Sequence, residues 1–179
     1  MRNSFFLASI LAFGIAIPVT NTAIAGGPTT SVQTEYLMTL HAQLEPGQAI
    51  DQNLLVVNVP SGGWAEGPRI KGTVIGPAGD WLRVMPSGVL RLDVRGTIKT
   101  DDGELIYTSY NGVIQCSKEQ SDRLNKGEEL KTEDCYFLTA PTFETKSEKY
   151  GWLNGVQAVG KMISVKVGNH IRYDIFTVK

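Results

Sequence analysis

From Glu35 onward the chain alternates polar and apolar residues with a period of two, in short runs broken by turn-forming residues. No other feature restricts the fold as much. Tyr36, Met38, Leu40, Ala42 and Leu44 share one face of an extended segment, and Leu37, Thr39, His41 and Gln43 share the other. Similar runs cover Asn53–Val59, Arg69–Ile75, Asp80–Met85, Val89–Thr100, Glu104–Gly112, Tyr136–Leu138, Gln157–Val167 and His170–Val178. Turn signals stand between them: Pro46-Gly47, Ser61-Gly62-Gly63, Gly76-Pro77-Ala78-Gly79, Pro86-Ser87-Gly88, Asp101-Asp102-Gly103 and Gly168-Asn169. Gly and Asn tolerate the positive φ that tight hairpins demand. About nine strands with no long helical pattern predict an all-β chain, a single antiparallel barrel or a sandwich. The one helix-compatible stretch is Lys118–Leu130.

The first residues differ in kind. Arg2 precedes an apolar run from Phe5 to Val19, and the segment ends Ala23-Ile24-Ala25. A basic start, a short apolar core and small residues before a cut are the parts of a secretory signal. The run is shorter than the roughly 20 residues of a membrane span, and Pro18 interrupts it. Cleavage after Ala25 is expected, then a flexible leader over 26–34 and a barrel domain over 35–179. The exported product is periplasmic or secreted, with no membrane span. Removing Arg2 leaves 16 basic against 18 acidic residues, from 17 and 18 in the whole chain. Without a basic tract there is no field to hold a phosphate backbone, so nucleic acid is a poor partner.

An oxidising compartment pairs thiols, and the chain has two, Cys116 and Cys135. A disulfide between them closes the charged insertion 117–134. No C-x-x-C spacing suggests a redox-active dithiol.

Three segments carry candidate chemistry. In Val89–Gly96, Leu90, Leu92 and Val94 share one face and Arg91, Asp93 and Arg95 the other. The charged face is either solvated or turned into a lumen, where an Asp between two Arg stays ionised. In Gly62–Arg69, glycines surround Glu66 and Arg69. Glu66 is either a general acid or base or the mark of a bend at a sheet corner. Tyr150, Trp152 and Asn154 either plug a barrel end or stack on a ligand ring, and Trp81 reads the same way. His41 and His170 have no metal-ligand spacing, and no nucleophile elbow, P-loop or dinucleotide fingerprint is present, so neither metal nor cofactor is expected.

Several short motifs occur in order: Glu66-Gly67-Pro68-Arg69-Ile70-Lys71-Gly72, Gly79-Asp80-Trp81, Leu92-Asp93-Val94-Arg95, Thr100-Asp101-Asp102-Gly103, Phe143-Glu144-Thr145, Tyr150-Gly151-Trp152-Leu153-Asn154 and Arg172-Tyr173-Asp174. This series resembles the domain of unknown function 3237 family, also called uncharacterised protein family 0311, from about Glu35 to Val178. The resemblance implies a calycin-like barrel with a central pocket and makes small cyclic organic molecules a plausible ligand class. It assigns no activity. The signal and the cysteine-closed insertion depart from the family's usual pattern.

Three functions remain open at this level. The first is an exported barrel holding a partly apolar organic ligand, with Glu66, Asp93, Arg95 and Tyr107 converging on it and Arg69, Trp81, Arg91, Tyr150, Trp152 and Asn154 as further contacts. The second is a cofactor-independent acid–base enzyme, a cyclase, isomerase or lyase, in which Glu66 or Asp93 is the base and Arg95 stabilises negative charge. The third is an interaction module without a ligand. Nothing in the sequence decides between a monomer and a homo-oligomer.

Overall fold

The computed structural model describes residues 30–179. The expected signal over 1–25 and the start of the leader lie outside the described residues. The described chain forms strands β1 (Thr34–Gln43), β2 (Gln48–Ala49), β3 (Leu54–Asn58), β4 (Gly63–Glu66), β5 (Lys71–Val84), β6 (Leu90–Thr100) and β7 (Leu105–Gln115). A helix α1 (Lys118–Asn125) follows, then β8 (Leu130–Lys131), β9 (Tyr136–Glu144), a 3-10 turn (Gly151–Gly155), β10 (Ala158–Lys166) and β11 (His170–Val178). β5, β4, β1, β11, β10, β9, β7 and β6 pair in that order, and β6 returns to β5, closing an antiparallel barrel of 8 strands.

Closure lets every barrel strand bury one face and satisfy both edges. The period-two pattern supplies that face: Met38, Ile98, Ile106 and Met162 are each at most 1 % exposed. The expected runs Arg69–Ile75 and Asp80–Met85 are one strand. Its register shifts between Ile75 and Gly79, where the Gly76–Pro77 peptide is cis. β5 therefore changes partner along its length, pairing first with β4 and then with β3, while β6 follows its other edge throughout. Tyr136–Leu138 extends to Glu144, because Pro141 is accommodated opposite Tyr110 in the β7–β9 pairing.

The barrel's two ends differ. At one, the 3-10 turn packs Leu153, fully buried, and Tyr150, 4 % exposed, against the core. At the other, Cys116 and Cys135 form the disulfide that joins the end of β7 to the approach to β9. The insertion carries α1, whose start is written locally. Ser117 Oγ accepts from the Gln120 N–H, and Gln120 Oε1 accepts from the Ser117 N–H at 2.7 Å, a reciprocal cap. Among the described residues, no helix is long and apolar enough to cross a membrane.

Candidate functional site

A cavity of about 660 Å³ occupies the barrel lumen and runs toward the disulfide end. Its wall is mainly aliphatic, with Leu40, Leu82, Leu92, Val94, Met162 and Ile171 among its lining. Cys116, Cys135 and Leu124 of α1 line its disulfide end. Leu90, Leu92 and Val94 therefore face inward, and alternation turns the side chains of Arg91, Asp93 and Arg95 outward, although Arg95 still borders the cavity. Desolvating two guanidinium groups and a carboxylate in so apolar a lumen would be costly, whereas burying three aliphatic side chains there is favourable. Asp93 and Arg95 instead form an exposed ion pair at 3.0 Å. The Arg95 guanidinium also lies 5.5 Å from the Trp81 ring centre.

Other expected residues likewise lie outside the lumen. Tyr107 alternates with Ile106 and Thr108, both buried, and so faces out. Glu66 is solvated and 3.8 Å from Lys71. The glycines beside it serve close strand packing: a Cβ on Gly63 would sit 2.4 Å from the His41 carbonyl oxygen, and one on Gly67 2.1 Å from that of Leu37. Arg69 stacks on Trp152 at 3.8 Å, at the plugged end. Asn154 clamps Thr145, accepting from its N–H at 2.8 Å and donating to its carbonyl at 2.9 Å. Tyr150 donates to Asp102, which also accepts from Thr100 and Lys149. The hydrogen bond from Lys149, then that from Thr100, hold the Asp102 carboxyl down at about 2. This cluster ties the closed end together. Glu66→Gln is accordingly expected to change stability by less than about 0.5 kcal/mol. A larger loss in urea denaturation would show that Glu66 does more than the solvated pair implies.

The polar groups inside the barrel are different residues. Asp80, 8 % exposed, points into the lumen from β5. It shares a register row with Val94 on β6 and, one strand further, Tyr110 on β7. Tyr173 enters from β11, its ring 6.1 Å from that of Tyr110 and edge-on to it. Burial pushes the Asp80 carboxyl up to about 6. The Asp93 backbone N–H, donating at 3.0 Å, opposes the rise, and the Asp93 carboxylate adds to it. Burial raises both phenols, and the nearby Asp80 charge raises them further, so both stay protonated at neutral pH. A carboxylate that can take a proton thus lies near two phenols that are hydrogen-bonded to each other, in a wall that is mainly aliphatic.

The sequence carried a signal for this cluster. Ala78, Asp80, Leu82 and Val84 share one parity, and a lone carboxylate on an apolar face is the exception that marks a site. The two histidines stack on the outer surface, ring centres 5.6 Å apart and planes at 19°, so ring faces rather than nitrogen lone pairs oppose each other. The described residues contain no group of three His, Cys, Asp or Glu side chains placed to hold one metal ion.

Known proteins give the site a context. A family model described as a protein of unknown function (DUF3237) matches residues 32–178. A UPF0311 protein of Rhodopseudomonas palustris is 27 % identical over 139 residues, 74 % of this chain and 88 % of that protein. The crystal structure of that conserved protein of unknown function superposes with a TM-score of 0.78 at 24 % identity, covering 85 % of this chain and 100 % of the other. A structure described as a beta-barrel-like protein, from Acinetobacter baumannii, has a TM-score of 0.65 at 29 % identity, over 87 % of this chain and 99 % of its own. A protein named as a hydroalkoxylation enzyme, from Penicillium herquei, is 28 % identical over 171 residues, 94 % of this chain and 95 % of that protein.

Proposed function

This chain belongs to the DUF3237 family, and we propose that it is an exported barrel that takes a small, largely apolar organic molecule into its lumen. The observation that carries this reading is the cavity of about 660 Å³, a volume within the range of small-molecule sites and walled mainly by aliphatic side chains. Asp80, Tyr110 and Tyr173 give the ligand fixed polar partners. The Cys116–Cys135 disulfide supports export, because such bonds persist in oxidising compartments.

The test is a thermal-shift panel of aromatic and lipidic compounds against the purified protein. A saturating ligand of the native state is expected to raise Tm by about 5 °C or more. If no compound small enough for the lumen moves the transition, the reading is wrong.

A second reading has its own support. The buried Asp80 carboxyl, titrating near neutral pH, is suited to accept a proton from a ligand hydroxyl, with the phenols stabilising negative charge on a neighbouring ligand oxygen. The relative named as a hydroalkoxylation enzyme favours an acid–base reaction of this kind. In that case Asp80, rather than Glu66 or Asp93, is the catalytic carboxylate of the lumen.

A further inference from the structure

We infer that the lumen selects its ligand by charge: it admits a neutral ring compound whose hydroxyl donates to Asp80, and it rejects a carboxylate of the same size and shape. The inference rests on the lumen-binding reading and narrows it to a class of molecule. Three charged residues border the cavity: Glu45, Asp80 and Arg95. The one cation among them is turned away from it, paired with Asp93 outside and lying over Trp81. The two carboxylates remain. Glu45 stands toward the disulfide end, where it accepts from Asn58 at 3.1 Å, and Asp80 lies deeper in the barrel.

An anionic ligand entering this lumen would leave its hydration shell and meet a like charge without a cationic partner, which costs affinity steeply. A neutral hydroxyl meets the opposite situation. Asp80 accepts its hydrogen, and because Tyr173 donates to Tyr110, the Tyr110 hydroxyl keeps its own hydrogen for the ligand oxygen. A site built to hydrogen-bond a hydroxyl discriminates strongly against molecules that cannot pair there.

The groups bearing on Asp80 are few. Asp93 of β6 donates its backbone N–H and contributes a like charge, Arg95 lies beyond Asp93, Tyr110 comes from β7 and Tyr173 from β11. The discrimination should therefore follow the protonation of Asp80, which burial sets near pH 6.

The experiment is calorimetric titration of the intact protein with 2-naphthol and with 2-naphthoate, at about pH 7.5 and about pH 5.5. At the higher pH the naphthol is expected to bind at least about tenfold more tightly, because the naphthoate must approach a like charge. At the lower pH, with Asp80 largely protonated, the gap is expected to shrink several-fold. Asp80→Asn should narrow it in the same way at the higher pH. The wild-type pH series remains decisive even if that variant does not fold. Naphthoate binding as tightly as naphthol at the higher pH would overturn the inference and leave the lumen-binding reading standing. A gap indifferent to pH in the wild type would likewise overturn the assignment to Asp80. Absence of saturable binding by either compound would overturn the inference together with the reading beneath it.

Discussion

Replacing Asp80 by Asn is expected to raise stability at neutral pH relative to the wild type, by about 2 kcal/mol more than at pH 4. The sign follows from where the proton sits. An unfolded Asp titrates near 3.8, whereas in the barrel burial has moved Asp80 up to about 6. Below the lower value both states are protonated, and the group has no effect on the balance. Between the two values the native state keeps a proton that the unfolded chain has released, so stability falls as pH rises. Above the folded value the loss is complete, and the rise from 3.8 to about 6 corresponds to roughly 3 kcal/mol. At 8 % exposure little solvent screening reduces this figure. Asn retains an oxygen for the Asp93 N–H but brings no charge, so this limb should vanish. Asp102 has the opposite slope at acid pH, being held low by Lys149 and Thr100, but it is common to both proteins and cancels in the difference. Urea denaturation of both proteins between pH 4 and 8 measures the effect. Parallel profiles would mean that Asp80 is neither buried nor perturbed as described.

The second large effect concerns the staple at the cavity's end. Cys116→Ala combined with Cys135→Ala is expected to cost about 3 kcal/mol, the chain-entropy value for a loop of roughly this length. The bond spans 19 positions and encloses α1, whose residues are nowhere fully buried. α1 is held by its reciprocal Ser117–Gln120 cap and by Arg123, which reaches Glu128 at 3.0 Å and Asp134 at 2.8 Å. These are polar contacts at a surface and are individually weak. Without the crosslink the insertion should exchange its amide hydrogens faster over 118–125 while the barrel strands stay protected. Unchanged stability in the double variant would show that the insertion is held by packing instead.

Much of the fold is legible because the backbone of a strand alternates its side chains without reference to anything distant. The runs, their turns and the helix-compatible stretch in the insertion all follow from local pattern. Long-range pairing overrides local pattern in several places. Arg69–Ile75 and Asp80–Met85 read as separate strands because Gly76-Pro77-Ala78-Gly79 has the composition of a turn, yet β6 runs unbroken beside both halves and holds them in one strand. β4 is hidden inside a glycine-rich segment, where the glycines allow it to lie tightly against β1.

The site is less legible, for a reason visible in Val89–Gly96. Period two shows that Arg91, Asp93 and Arg95 share a face, but the direction of that face depends on which side of the sheet becomes the interior. The long period-two runs and the paired cysteines already determined a β-rich chain with a closed insertion. Only closure of the barrel decided that the three charges meet water and that Asp80, Tyr110 and Tyr173 meet one another. Those three residues lie on strands far apart in the chain, and alternation relates neighbours within a strand. Their convergence is set by the strand order around the barrel, which arises from burying every apolar face at once.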